Sequence, residues 1–195
     1  MASTDRILAA ARGEFAQHGF GGARLQDIAA RAQLSHPTLL YHFGSKEGLY
    51  AAVIEQAMQD WAAMTSLAIA DGKAGFDRVA SLIDAGFAFF ATHHDFVVIW
   101  RREAIEGGGR LEQAMADHMR PFLEQAVEFL RRETAAGRLR EHDPFELMQV
   151  AYGAVMSFFS DAGFRARLLD EDRPGGVERF RDALKAMLRD VLEPR

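Results

Sequence analysis

Cysteine is absent from this chain, so a disulfide scaffold and a thiolate metal site are both excluded, and a reducing compartment suits it. Long apolar runs are missing as well. No window approaches the roughly 18 apolar residues of a membrane span, and Asp5, Arg6 and Arg12 interrupt the N-terminus where a secretory signal would need an apolar core. The expectation is a cytoplasmic protein with no membrane partner. Strand signals are lacking too: there is no sustained alternation and no hairpin dipeptide between β-branched runs. Neither an internal repeat nor a low-complexity tract is present. The acids show no spacing that carries catalysis, and no Ser/His/Asp set stands out, so no enzyme activity and no cofactor are expected. His93-His94-Asp95 resembles a metal cluster only in composition. Adjacent helical positions point about 100° apart, so the two rings do not converge on one ion, and a helix C-terminus followed by a capping Asp is the simpler account.

What is present is helix-forming pattern. Hydrophobic residues make up 49% of 195 positions, enough to bury a substantial core in one or two small domains. Leu25, Ile28, Ala29 and Ala32 fall at i, i+3, i+4 and i+7, one apolar stripe on a short helix. Gln33-Leu34 turns the chain, and Ser35 caps a second short helix whose early Pro37 costs nothing because first-turn amides have no partner to lose. Two short helices joined by a tight turn make a helix-turn-helix, a unit that places its second helix in the DNA major groove. His36, Thr38, Tyr41 and His42 on that helix offer donors, acceptors and a stackable ring, with no acid among them.

The net charge of −5 runs against DNA binding until its distribution is read. Residues 1–50 hold five cations and four acids, leaving +1 there and −6 on the remainder. The acidic excess lies away from the expected DNA face, and two chains side by side double the attraction.

Beyond the helix-turn-helix, Ser45 caps a helix that runs past Trp61 and Met64 toward Asp71-Gly72 and joins the head to the rest. Further helices are expected over 76–92, 95–106, 110–136 with a kink at Pro121, from Asp143-Pro144 onward, and over 177–192 after Arg173-Pro174-Gly175-Gly176. Gly19, expected at C′, ends the first helix, with Gly21-Gly22 as the following loop. Gly107-Gly108-Gly109 follows a helix, not a strand, which speaks against a phosphate loop. Arg101-Arg102-Glu103 reads as a solvated or interhelical ion-pair face.

The run Ile7-Leu8-Ala9-Ala10-Ala11, Phe15, Gly19-Phe20, Asp27-Ile28-Ala29, Leu34-Ser35, Thr38-Leu39, His42-Phe43 and Ser45-Lys46-Glu47-Gly48-Leu49 resembles, in nearly continuous register, the N-terminal domain of the TetR family of bacterial transcriptional repressors. It departs where the family often has a Thr or Ser pair, here Ala23 and Arg24, and where it often has Tyr, here Leu40. The resemblance implies an all-α fold of about nine helices, with a helix-turn-helix domain over 1–46 and a ligand-binding and dimerisation bundle over 47–195. It places His36, Pro37, Thr38 and Tyr41 at base edges, with Gln26 also in reach of a base, and His42, Lys46 and Arg24 at phosphates.

In the larger part the crowd of aromatic and Met residues reads as core packing residue by residue, or as an apolar ligand cavity. The resemblance favours the cavity, with Trp61, Met64, Phe87, Trp100, Phe122, Met148 and Tyr152 as candidate lining. It also implies that the helix carrying Val155, Phe158, Phe159 and Ala162 and the helix carrying Phe180, Leu184, Met187 and Val191 pair with their copies in a four-helix interface, the two-fold that a palindromic operator requires. The expected function is a homodimeric repressor released from double-stranded DNA by a small, apolar inducer. A helical carrier or enzyme using the cavity, or a constitutive DNA-binding regulator, are the alternatives.

Overall fold

Side chains at helix starts set much of the architecture. Asp143 Oδ1 accepts from the amides of Phe145 and Glu146 at 2.8 and 3.1 Å, with Pro144 in the first turn, where its missing N–H costs nothing. Ser35 Oγ accepts from the Thr38 amide at 3.2 Å in the same manner. The computed structural model describes residues 3–70, 72–107, 109–169 and 175–194. Among them it contains ten helices and no strand: α1 Ser3–Gly22, α2 Leu25–Arg31, α3 His36–Phe43, α4 Lys46–Ala70, α5 Gly75–Thr92, α6 His94–Glu106, α7 Gly109–Ala135, α8 Pro144–Ser160, α9 Ala162–Leu169 and α10 Gly176–Leu192. No single helix among them is long and apolar enough to cross a membrane.

The all-α expectation holds, with two local differences. Gly19 interrupts the first helix as expected, at φ 67° and ψ 176°, but helical turn resumes through Gly22, so the loop is Ala23-Arg24 and not Gly21-Gly22. The helix after Asp143 divides at Asp161, whose carboxylate accepts from the hydroxyls of Ser157 and Ser160 at 2.9 and 2.7 Å; this makes α9 a separate element. Helix α7 continues through Pro121. The breakers expected at Asp71, Gly108 and Arg173-Pro174 lie outside the described residues.

The chain forms two compact units. The first comprises Met1–Gln59 and Asp95–His118. Its buried side chains include Ile7, Phe15, Ile28, Leu39, Leu49 and Ile54, together with Phe96 and Val97 from α6. Phe15 and Tyr50 meet edge to face with ring centroids 4.9 Å apart. The almost fully buried Glu14 of α1 pairs with Arg31 of α2 at 3.3 Å.

The second unit comprises Asp60–His94 and Met119–Arg195. Phe87, Phe158, Phe159 and Phe180 form its aromatic centre, Phe158 and Phe180 stacked at 4.4 Å. At its periphery, Lys185 of α10 holds Asp84 of α5 through both carboxylate oxygens at 2.9 Å. The end of α7 is tied to the start of α5 by one buried carboxylate. Glu133 accepts from the Gly75 amide at 2.7 Å and from Arg138 Nε and Nη2 at 2.6 and 2.8 Å. These charge-assisted bonds hold its carboxyl down at about 2, against the cost of burial.

Candidate functional site

The head is held by backbone geometry as much as by side chains. Arg24 takes extended torsions before α2 and supplies no side-chain cap; its carbonyl accepts from the Asp27 and Ile28 amides at 3.1 Å. Thus Ala23 and Arg24 still start a helix where the family's hydroxyls are missing. Gln33 adopts φ 57°, a left-handed torsion that turns α2 into α3, while the Leu34 amide donates to the Ala29 carbonyl at 2.9 Å. Leu39 is fully buried beneath α3. On the opposite side Tyr41 is 86% exposed, Pro37 and His42 are exposed, and His36 and Thr38 are half-buried. The Thr38 hydroxyl lies 2.7 Å from that of Ser35, so part of its bonding capacity serves the cap. Gln26 and Arg24 are exposed on the neighbouring element. Lys46 is half-buried at the start of α4, donating to the Gly21 carbonyl at 3.3 Å with its ammonium 4.9 Å from the Phe20 ring centre. A short helix with a buried underside and a polar, acid-free outer face fits a groove about 12 Å wide.

Two features of the head were not anticipated from spacing. Gly48 lies under the Phe43 carbonyl oxygen, and a Cβ there would overlap that oxygen inside contact distance. Its amide also donates to Ser45 Oγ at 3.1 Å, closing the start of α4. Gly48→Ala is expected to lower the unfolding free energy by about 1–3 kcal/mol, read by chemical denaturation, because backbone must move to admit the methyl group. The second is Arg102. Arg101 is exposed, Glu103 is buried, and Arg102 Nη2 points at the carbonyls of Ala16 and Gln17, each 3.4 Å away. A guanidinium at the negative end of a helix is electrostatically favoured. Gly19 makes the approach possible, since its torsion suits glycine and a Cβ would lie 2.9 Å from Arg102 Cδ.

In the second unit a cavity of about 200 Å³ opens between the end of α4, α5 and α7. Ile69, Leu82 and Phe122 supply apolar wall; Arg78, Arg132 and Glu128 supply charge. Of the seven ligand candidates only Phe122 lines this cavity. Trp61 packs edge to face on Phe122 at 5.6 Å and on Phe89 at 5.2 Å. Phe87 belongs to the aromatic centre, and Trp100 sits against Phe96 in the first unit. Met64, Met148 and Tyr152 are half-buried. The signal for this wall is in the spacing of Phe122, Gln125, Ala126 and Phe129, an i, i+3, i+4, i+7 stripe. His93 ends α5 with Nδ1 2.9 Å from the Phe89 carbonyl and Nε2 3.1 Å from Asp60, so its ring is a link from α5 to α4.

The eight candidates for the two-copy interface divide. Val155, Phe158, Phe159 and Leu184 are buried within the chain, and Ala162 and Phe180 are half-buried. Met187 and Val191 remain 67% and 42% exposed, and Val150, Phe164 and Leu168 join them as large apolar side chains in water.

An all-α chain whose first unit carries a capped helix-turn-helix is of the DNA-binding helix-turn-helix class. The family model for bacterial regulatory proteins, tetR family, matches residues 7–53. RutR of Escherichia coli strain K12, an HTH-type transcriptional regulator, is 51% identical over 57 residues, which is 29% of this chain and 27% of RutR. The match therefore spans just over a quarter of that relative. AcnR of Corynebacterium diphtheriae, an HTH-type transcriptional repressor, is 24% identical over 183 residues, 94% of this chain and 90% of AcnR. The crystal structure of AibR in complex with isovaleryl coenzyme A and operator DNA has a TM-score of 0.76 at 18% identity, covering 95% of this chain and 97% of AibR. Residues 7–53 thus match the N-terminal domain of the tetR family of bacterial regulatory proteins.

Proposed function

We propose that this protein is a homodimeric transcriptional repressor that binds a palindromic operator and leaves it when a small molecule occupies the second unit. The observation that carries this reading is α3: a capped helix with Leu39 buried and Tyr41, Pro37 and His42 turned outward, inside the stretch that matches the family. In this reading residues 1–46 read DNA and residues 47–195 bind ligand and dimerise. Similarity to AcnR supports repression, and the AibR complex supports a fold that serves both operator and ligand. Helix α4 runs unbroken from Lys46 to Ala70, so one rigid element carries a shift at its far end to the head. The ligand acts through unequal affinity for two conformations, one of which spaces the α3 helices for successive major grooves.

Selection from random double-stranded DNA tests the reading. Enriched sites are expected to be pseudo-palindromes with half-site centres one helical turn, about 34–36 Å, or a multiple of it apart. Tyr41→Ala is expected to change which bases are preferred within each half-site and to leave the spacing alone. Enrichment of unpaired half-sites, or of no sequence at all, overturns the reading.

A further inference from the structure

The cavity between α4, α5 and α7 holds more positive charge than its own acids neutralise. Arg78 donates one hydrogen bond, from Nη2 to the Ile69 carbonyl at 3.3 Å, and its Nε is buried with no acceptor. Its guanidinium lies 5.3 Å from the centre of the Phe129 ring, and that of Arg132 lies 5.9 Å from the same ring. Stacking on one aromatic ring holds both cations in place without discharging either. The nearest carboxylate to Arg132 is Glu133 at 3.7 Å, and Glu133 is already bonded by Arg138 and the Gly75 amide. Glu128, one turn before Arg132 on the same wall, forms no ion pair among the described residues. Two guanidiniums against one carboxylate leave the wall with an excess of one positive charge, facing Ile69, Leu82 and Phe122 across a space of about 200 Å³. That volume is below the roughly 300–1,000 Å³ of sites for drug-sized ligands, so the occupant is small.

We infer that this cavity binds a small organic carboxylate, its charged head on Arg78 and Arg132 and its apolar body on Ile69, Leu82 and Phe122. The inference deepens the proposed ligand-released repressor by naming the class of ligand, and it rests on that reading for its regulatory meaning only. A guanidinium donates two parallel bonds to a carboxylate, whereas a neutral amide of the same shape offers one acceptor oxygen and adds donors that face other donors. Discrimination between the two is therefore the signature of the site.

Calorimetric titration of the full chain with 3-phenylpropionate, 3-phenylpropionamide and 3-phenylpropylamine tests it. The carboxylate is expected to bind about tenfold or more tightly than the amide, and the amine not at all. Arg78→Gln and Arg132→Gln are each expected to weaken the carboxylate about tenfold and leave the weak amide binding unchanged. Glu128→Gln is expected to strengthen it severalfold, an effect that a structural role for the wall would not produce. The Arg132 side chain is 61% exposed, so its replacement leaves the fold in place even if that of Arg78 does not, and its result decides. Equal or better binding of amide or amine, no carboxylate binding, or an Arg132→Gln protein that binds as well as the parent each overturns the inference. DNA selection with the same protein separates the two claims. Recovered palindromes with no carboxylate binding overturn the ligand class and leave the regulator standing; carboxylate binding with no recovered DNA site upholds the cavity and overturns the regulator.

Discussion

Glu133→Gln is expected to lower the unfolding free energy by about 2–3 kcal/mol at neutral pH, measured by chemical denaturation. The carboxylate is 2% exposed and accepts from three donors that join the end of α7, the loop beyond it and the first residue of α5. Glutamine keeps one acceptor for the Gly75 amide but turns an NH₂ group toward the Arg138 guanidinium. That is a donor facing a donor, with the compensating charge gone. Because Arg138 is half-exposed, water recovers part of the loss, which keeps the effect below that of a fully buried pair.

The same group fixes the direction of a pH effect. Its carboxyl titrates at about 2 in the folded chain against 4.5 ordinarily, so between those values the unfolded chain binds more protons. Stability contributed by Glu133 is therefore complete above pH 4.5 and is lost as pH falls toward 2. The gap between parent and Glu133→Gln is expected to be constant at neutral pH and to close across that acidic window. A gap that stayed open at pH 2 would show that shape, not charge, accounts for the loss.

Local chemistry was legible in the sequence, and long-range chemistry was not. Ser35, Pro37, Asp143 and Pro144 act within three residues of their own positions, and the helix starts they mark were expected where they occur. Gly19 broke the helix as expected, yet nothing within four residues of it explains why the break is tolerated. The reason is Arg102, more than eighty positions away along the chain. Glu133 and Gly75 are similarly remote. Apolar periodicity showed that Phe87, Phe158 and Phe180 are turned inward, but burial against one another and burial against a ligand leave the same pattern. Of the residues chosen, Phe87 is buried in the core and Phe122 lines the space between α4, α5 and α7. Arg78 and Arg132, which do line a cavity, fall in no motif that the sequence analysis singled out.

Replacing Met187 and Val191 together by Glu is expected to abolish dimerisation and reduce operator affinity by about 10²–10⁴, the avidity lost when two half-site contacts no longer share one body. The two side chains stand four residues apart on α10, on a stripe beside the buried Leu184, Leu188 and Leu192. The buried stripe is satisfied within the chain; the exposed one is not. Phe164 and Leu168 repeat the arrangement on α9 at the same spacing, and Val150 adds to it on α8. Six of the ten exposed large apolar side chains among the described residues stand on α8, α9 and α10, and apolar area left in water costs about 25 cal/mol per Å². In the proposed dimer a second copy covers them, recovers that energy and supplies the two-fold on which palindrome reading depends. Glutamates there leave the helical interior untouched, so far-UV circular dichroism of the variant is expected to match the parent while sedimentation shows a monomer. A variant that still sediments as a dimer, with undiminished operator affinity, would place the interface elsewhere on the molecule.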